Sequence, residues 1–204
     1  MNYMIQQTNT IGVLALQGAF AEHIEILRQL GAEAKPVRLP HELKEVNGLV
    51  IPGGESTTIG KLLEAYHLSD PIQSLVARGM PILGTCAGMI LLAGSVSGLN
   101  GYLLGAIDIS VQRNAFGRQV DSFEADLSIP VLGKPSFPGV FIRAPWIETV
   151  GPDVEVLARL ENGTPVAARA GNVVVAAFHP ELTADNRFHS YFLDIVRNHE
   201  TTNH

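Results

Sequence analysis

PILGTCAGMILLA, residues 81–93, holds the only cysteine of the chain, Cys86, set between Gly84 and Gly88. The apolar residues Ile82 and Leu83 before it suit a short buried strand, and Met89-Ile90-Leu91-Leu92 after it can run on as a buried helix. A strand that passes into a helix through G-x-C-x-G is the thiol counterpart of the serine nucleophile elbow. The turn is crowded, and a Cβ at either glycine would hold strand and helix apart. Such a turn puts the sulfur at the carboxyl edge of the sheet and at a helix N-terminus, where partial positive charge favours thiolate. Taken alone, the same residues also read as a small buried hydrophobe in a glycine-rich core.

The flanking sequence builds a sheet around this turn. IGVLALQGA (11–19) opens with a strand, and FAEHIEILRQLGA places Phe20, Ile24, Leu27 and Leu30 on one helical face, with Gly31 as the stop. AKPVRL and NGLVIPGG read as further strands, the latter ending in a Pro-Gly-Gly turn. STTIGKLLEAYHL is a helix with Ser or Thr available as its cap. DPIQSLVARG predicts another, with Asp70 as N-cap, Pro71 in the first turn and Gly79 as the end. Strands alternating with helices at this spacing mean βαβ units and a parallel sheet. In the second half GAIDISVQRNA, SFEADLSI, GVFIRAP, VEVLARL, PVAARAG and NVVVAAFHPE read as strands joined by turns, and NRFHSYFLDIVRNH closes the chain as a helix. The expected fold is a single α/β domain over residues 1–204: a three-layer α/β/α sandwich on a mostly parallel sheet, with additional antiparallel strands in the second half.

Composition narrows the partners. The net charge is −6 and no run of basic residues occurs, which argues against nucleic acid or an anionic membrane surface. The uncharged stretch from Gly79 to Ile107 is broken by Pro81, Asn100 and several glycines, so it reads as strand, turn and helix rather than a membrane span. A lone cysteine excludes an internal disulfide, and MNYMIQQTNT lacks the basic and apolar regions of a secretory signal; a cytoplasmic location is expected. Asn162-Gly163-Thr164 then reads as a turn, not a glycosylation site. The histidines are scattered and no second cysteine exists, so no metal is expected.

Two further elements carry chemistry. In AAFHPEL, His179 and Glu181 lie two apart around Pro180; in an extended chain such residues share a face, and the carboxylate can orient the imidazole. That would complete a nucleophile-base-orienter triad with Cys86. In PGGES (52–56) a glycine turn after a strand exposes backbone N–H groups that suit an oxyanion or a phosphate. A nucleotide P-loop is excluded, because the second glycine, Gly60, comes one position late and Leu62 stands where Ser or Thr would bind the metal.

PGGES, GTCAG and FHPE, in this order, resemble the class I (triad) glutamine amidotransferases. The segments LALQGAFAEH, VIPGGESTTIGKLL, GTCAGMILLA, VQRNAFGRQVDSFEADL, GVFIRAP and AAFHPEL look like the glutaminase subunits of pyridoxal 5′-phosphate synthases. The resemblance implies a flavodoxin-like sheet and hydrolysis of L-glutamine, with ammonia delivered to a barrel-shaped synthase subunit that is required for full activity. It implies Cys86 as nucleophile with His179 and Glu181, and an oxyanion hole at Gly54 and Ala87. It further implies a glutamine site lined by Gly53, Gly54, Glu55, Arg113, Ile142 and Arg143, with no cofactor. Gln17, also in a family motif, becomes a candidate for the partner interface.

Overall fold

A computed structural model of the chain describes residues 9–98, 102–113 and 122–202. The first half runs β1 (Thr10–Leu14), α1 (Phe20–Gln29), β2 (Glu33–Val37), β3 (Gly48–Ile51), α2 (Ser56–Ala65), α3 (Ser69–Ala77), β4 (Ile82–Thr85) and α4 (Ala87–Leu92). It continues through β5 (Ala93–Ser97), β6 (Ile107–Gln112), β7 (Ser122–Leu127), β8 (Phe137–Ile142), β9 (Trp146–Val150), β10 (Glu155–Arg159), β11 (Pro165–Ala170) and β12 (Val173–Ala176) to α5 (Arg187–Thr202). The main sheet has seven strands in the order β10-β11-β12-β4-β3-β1-β2. From β12 to β2 all neighbours are parallel, and β10-β11-β12 is an antiparallel meander on one edge. A small β5-β6-β9 sheet and a β7-β8 hairpin accompany it.

Alternation along β4 shows how the layers form. Gly84 faces Leu92 of α4, while the next residue, Thr85, faces His23 of α1. Consecutive strand residues point to opposite faces, so α4 and α1 lie on opposite sides of the sheet. α5 joins α1 through His189, and α2 joins α4 where Gly60 meets Leu91. The strands β3, β4 and β12 are buried throughout, as strands covered on both faces must be. Among the described residues no helix is long and apolar enough to cross a membrane.

Several sequence expectations change. α2 is capped by Glu55, not by Ser or Thr; Ser56 is already helical. α3 starts at Ser69 with Leu68 at the cap position and no side-chain cap, so Asp70 lies in the first turn. The strands β5 and β9 are absent from the sequence reading: AGSVS is too small and polar for a strand signal, and WIETV has three exposed residues of five. Asn162 accepts from the Thr164 N–H at 3.0 Å, the local turn that the sequence implies.

The turn around Cys86 is as crowded as its glycines require. A Cβ on Gly84 would lie 2.5 Å from Leu92 Cδ1, and one on Gly88 would lie 2.0 Å from the backbone oxygen of Ile51. A strand carbonyl in mid-sheet cannot give way. Gly88→Ala is therefore expected to destabilise the fold by about 3 kcal/mol. Urea denaturation checks this, and an unshifted midpoint would refute the packing argument.

Candidate active site

In a mostly parallel sheet the carboxyl ends of the strands share one edge, and ligands bind there, where strand order reverses. Here β1 is followed by β2 on one side and β3 on the other, so the reversal lies between β1 and β3. Gln17 follows β1, Gly53 and Gly54 follow β3, Cys86 follows β4 and His179 follows β12. Residues far apart in sequence thus leave the sheet along the same edge.

Cys86 occupies the elbow with φ 47° and ψ −102°, a backbone conformation that side chains rarely adopt. Its N–H donates to the carbonyl of Ala176 at 2.8 Å, tying the turn to β12. Its Sγ stands 4.0 Å from the carbonyl oxygen of Ile142, and the thiol lies close enough to His179 to act on that ring's charge. The imidazole of His179 meets Glu181 at 2.7 Å through Nδ1 and Oε1. This pairing differs in origin from the extended-chain argument. Pro180–Leu182 is a turn of 3-10 helix, and it is this turn that brings the carboxylate back to the ring.

Burial opposes a charge on His179. Its interactions with Cys86 and Glu181 outweigh that cost and raise its pKa to about 10. The ring is therefore an imidazolium near neutral pH. Its side chain is 10% exposed, whereas that of Glu181 is fully covered, so a substrate can reach the imidazole but not its orienter. The segment is held firmly: the His179 N–H donates to Val140 of β8 at 2.8 Å. Phe178, just before it, packs among Phe137, Phe141 and Phe188 with ring centroids 5.3–5.8 Å away.

The Pro-Gly-Gly turn lies over this pair. Gly53 is so close that a Cβ there would meet both His179 and Cys86. The Gly53 carbonyl accepts from the Ala19 N–H at 3.1 Å, and Gln17 Oε1 accepts from the Glu55 N–H at 2.8 Å. The loop after β1 thus clamps the turn after β3. Ala87 is the first residue of α4 and is buried.

The Glu55 carboxylate is engaged by its own helix. It accepts from the N–H groups of Thr57 and Thr58, and from the Thr58 hydroxyl at 2.7 Å. The Thr58 hydroxyl above all, joined by these backbone donors and opposed by burial, lowers its pKa to about 2. Arg113, at the end of β6, reaches Glu55 Oε1 and Thr57 Oγ1 at 3.5 Å each. That is a loose, partly exposed ion pair of little energetic weight. Arg143 is exposed, directly after Ile142, and adopts φ 41°. Residues 114–119 of the RNAFGRQ motif lie outside the described residues.

The sequence reading missed the residues behind Glu181. His23, Thr85 and His189 are fully buried there. A signal existed: His23 continues the apolar stripe Phe20-Ile24-Leu27, and His189 follows Phe188 on the buried face of α5. A histidine on an apolar stripe has to find polar partners inside.

The family model of the SNO glutamine amidotransferase family matches residues 13–198. The pyridoxal 5′-phosphate synthase subunit PdxT of Dehalococcoides mccartyi is 58% identical over 192 residues, covering 93% of this chain and 98% of that protein. The protein of the same name from Herpetosiphon aurantiacus is 59% identical over 191 residues, covering 91% of this chain and all of its own length. A crystal structure of a glutamine amidotransferase superimposes with a TM-score of 0.86 at 51% identity, covering 91% of this chain and 98% of that one. A match that runs from β1 into α5, joined to relatives of this identity along nearly their whole length, has one meaning: the chain belongs to the SNO glutamine amidotransferase family.

Proposed function

We propose that the protein hydrolyses L-glutamine to L-glutamate and ammonia through a Cys86-His179-Glu181 triad, and passes the ammonia to the synthase subunit of a pyridoxal 5′-phosphate synthase. Glutamine amide chemistry comes with the family; the residue roles are inferred from where the side chains lie. The observation that carries them is the convergence of Cys86 and His179 on Gly53 at the carboxyl edge of the sheet, with His179 bound behind to Glu181.

In this reading the Cys86 sulfur, as thiolate beside the imidazolium, attacks the side-chain carbonyl carbon of glutamine. The N–H groups of Gly54 and Ala87 receive the developing oxyanion, each such donor being worth about 10²- to 10³-fold in rate. His179 gives its proton to the departing nitrogen, the C–N bond breaks, and ammonia leaves a glutamyl thioester. The ring, now neutral, takes a proton from water as that water attacks the thioester, and glutamate is released. The charge state of His179 near neutral pH is the one that the first half-reaction needs. Gly53, Gly54, Glu55, Ile142 and the cations Arg113 and Arg143 line the glutamine pocket, and the arginines suit the substrate's own carboxylate. Gln17, which fastens the Pro-Gly-Gly turn from the side of the β1 loop, is placed to sense a docked synthase.

Ammonia release from glutamine, measured with and without a synthase subunit, tests the reading. Release that rises when the synthase is added is expected; no release in either case would refute it. Glu181→Gln is expected to lower kcat by up to about 10⁴-fold, as loss of the orienting carboxylate does in serine triads. Alkylation of Cys86 by a glutamine-like electrophile should persist in that variant. Unchanged turnover would deny Glu181 its role.

A further inference from the structure

The two imidazoles buried behind the triad have no part in the reaction just described. His23 comes from α1, His189 from α5 and Thr85 from the end of β4, beside the nucleophile; His23 and His189 are 166 positions apart and each is fully buried. His23 Nδ1 is 2.9 Å from His189 Nε2. His23 Nε2 lies between two oxygens, 3.2 Å from Thr85 Oγ1 and 3.3 Å from Glu181 Oε2. Its N–H is aligned on Thr85, and Oε2 receives no well-directed hydrogen bond among the described residues. The ring of His23 is therefore the polar group standing against the outer oxygen of Glu181.

Donor-acceptor arithmetic assigns the protons. A carboxylate only accepts, so the nitrogen facing it must carry hydrogen. Burial, then the neighbouring imidazoles of His189 and His179, push the pKa of His23 well down, and burial lowers that of His189 to about 4. Both rings are neutral near pH 7. With its hydrogen on Nε2, His23 has a bare Nδ1 that accepts from the His189 Nε2–H. His189 Nδ1 is then a lone pair, and it is the ring nitrogen that lacks a partner among the described residues. One assignment thus fits both hydrogen bonds of His23 and leaves no N–H of the two rings unpaired.

We propose that His23 is a positioning residue of the glutaminase: its ring, fixed by Thr85, stands against the outer edge of the Glu181 carboxylate and keeps Oε1 on His179 Nδ1. His189 acts one step further back by fixing the tautomer of His23. The need is physical, because the carboxylate torsion of glutamate is broad and one bound oxygen does not set the plane of the group. α1 also packs against the turn that carries Glu181. The inference rests on the triad reading above.

The test uses the protein with its synthase subunit and active sites counted by alkylation of Cys86 with 6-diazo-5-oxonorleucine. His23→Leu is expected to lower kcat for glutamine about tenfold or more, the usual effect of losing a group that orients another, with KM nearly unchanged. His23→Gln, whose amide N–H₂ falls where Nε2 stood, should recover most of the rate. In a Glu181→Gln background, His23→Leu should cost nothing further, because the two act as one unit. A His23→Leu enzyme at wild-type kcat, or one losing the same factor in both backgrounds, overturns the proposal. If His23→Leu does not fold, His189→Leu takes its place: a smaller kcat loss that vanishes in the Glu181→Gln background supports the proposal, and an unchanged kcat overturns it. A wild-type complex without glutaminase activity would instead strike the triad reading, so the two failures are distinguishable.

Discussion

Cys86→Ala is expected to reduce glutamine hydrolysis by about 10⁴-fold or more with the synthase subunit present, the scale seen when a triad nucleophile is removed. The protein should still fold and still bind its partner. Alanine retains the Cβ, so the unusual φ of 47° is no more strained than before. The tie from the backbone N–H to Ala176 involves no side-chain atom and survives. Only the sulfur is lost, and with it the attraction that helps hold the proton on His179. The assay is ammonia release by the reconstituted complex, with association followed by sedimentation. Residual hydrolysis above about one-hundredth of the wild-type rate would exclude a covalent route through Cys86.

Gly53→Ala is expected to cost about 10²-fold in kcat with little change in melting temperature. The added Cβ would lie 2.4 Å from His179 Cε1, 3.0 Å from its Nδ1 and 3.4 Å from Cys86 Cβ. The ring must move by several tenths of an ångström. It is bound on one side by Glu181 at 2.7 Å and has Cys86 close by, so any shift disturbs the arrangement on which the proposed reaction depends. Stability suffers less than in Gly88→Ala, because a side chain at the edge of the site yields where a mid-sheet carbonyl does not. The pair of variants therefore separates activity from stability in neighbouring glycines. A Gly53→Ala enzyme within about threefold of the wild-type kcat would show that the ring has more freedom than this contact allows.

Much of the site was legible because its signals are local. The elbow needs two glycines within reach of one thiol, and GTCAG states that in five letters. The strands β3, β4 and β12 were readable as apolar runs, since strands covered on both faces cannot hide that pattern. The pairing of His179 with Glu181 was anticipated for the wrong geometric reason: a 3-10 turn, not a pleat, joins them. The cap of α2 was misread because a glutamate can reach its own helix's first N–H groups as serine would, and nothing in GGEST distinguishes the two. β5 and β9 were missed because their pairing partner, β6, supplies the order that their own residues do not encode.

The sequence by itself determined the lone thiol and its glycine turn, the βαβ grain of the first half, the family, and which residue types could serve as base and orienter. These depend on contacts within a few residues, where composition and spacing speak directly. Only the tertiary structure decided that Gln17, Gly53, Cys86 and His179 meet along one edge, and that His23, Thr85 and His189 close a polar cluster behind Glu181. Strand order and the packing of α1 against α5 arise from which buried surfaces fit once the sheet has formed. That choice is made by the folded whole, so no stretch of the chain states it on its own.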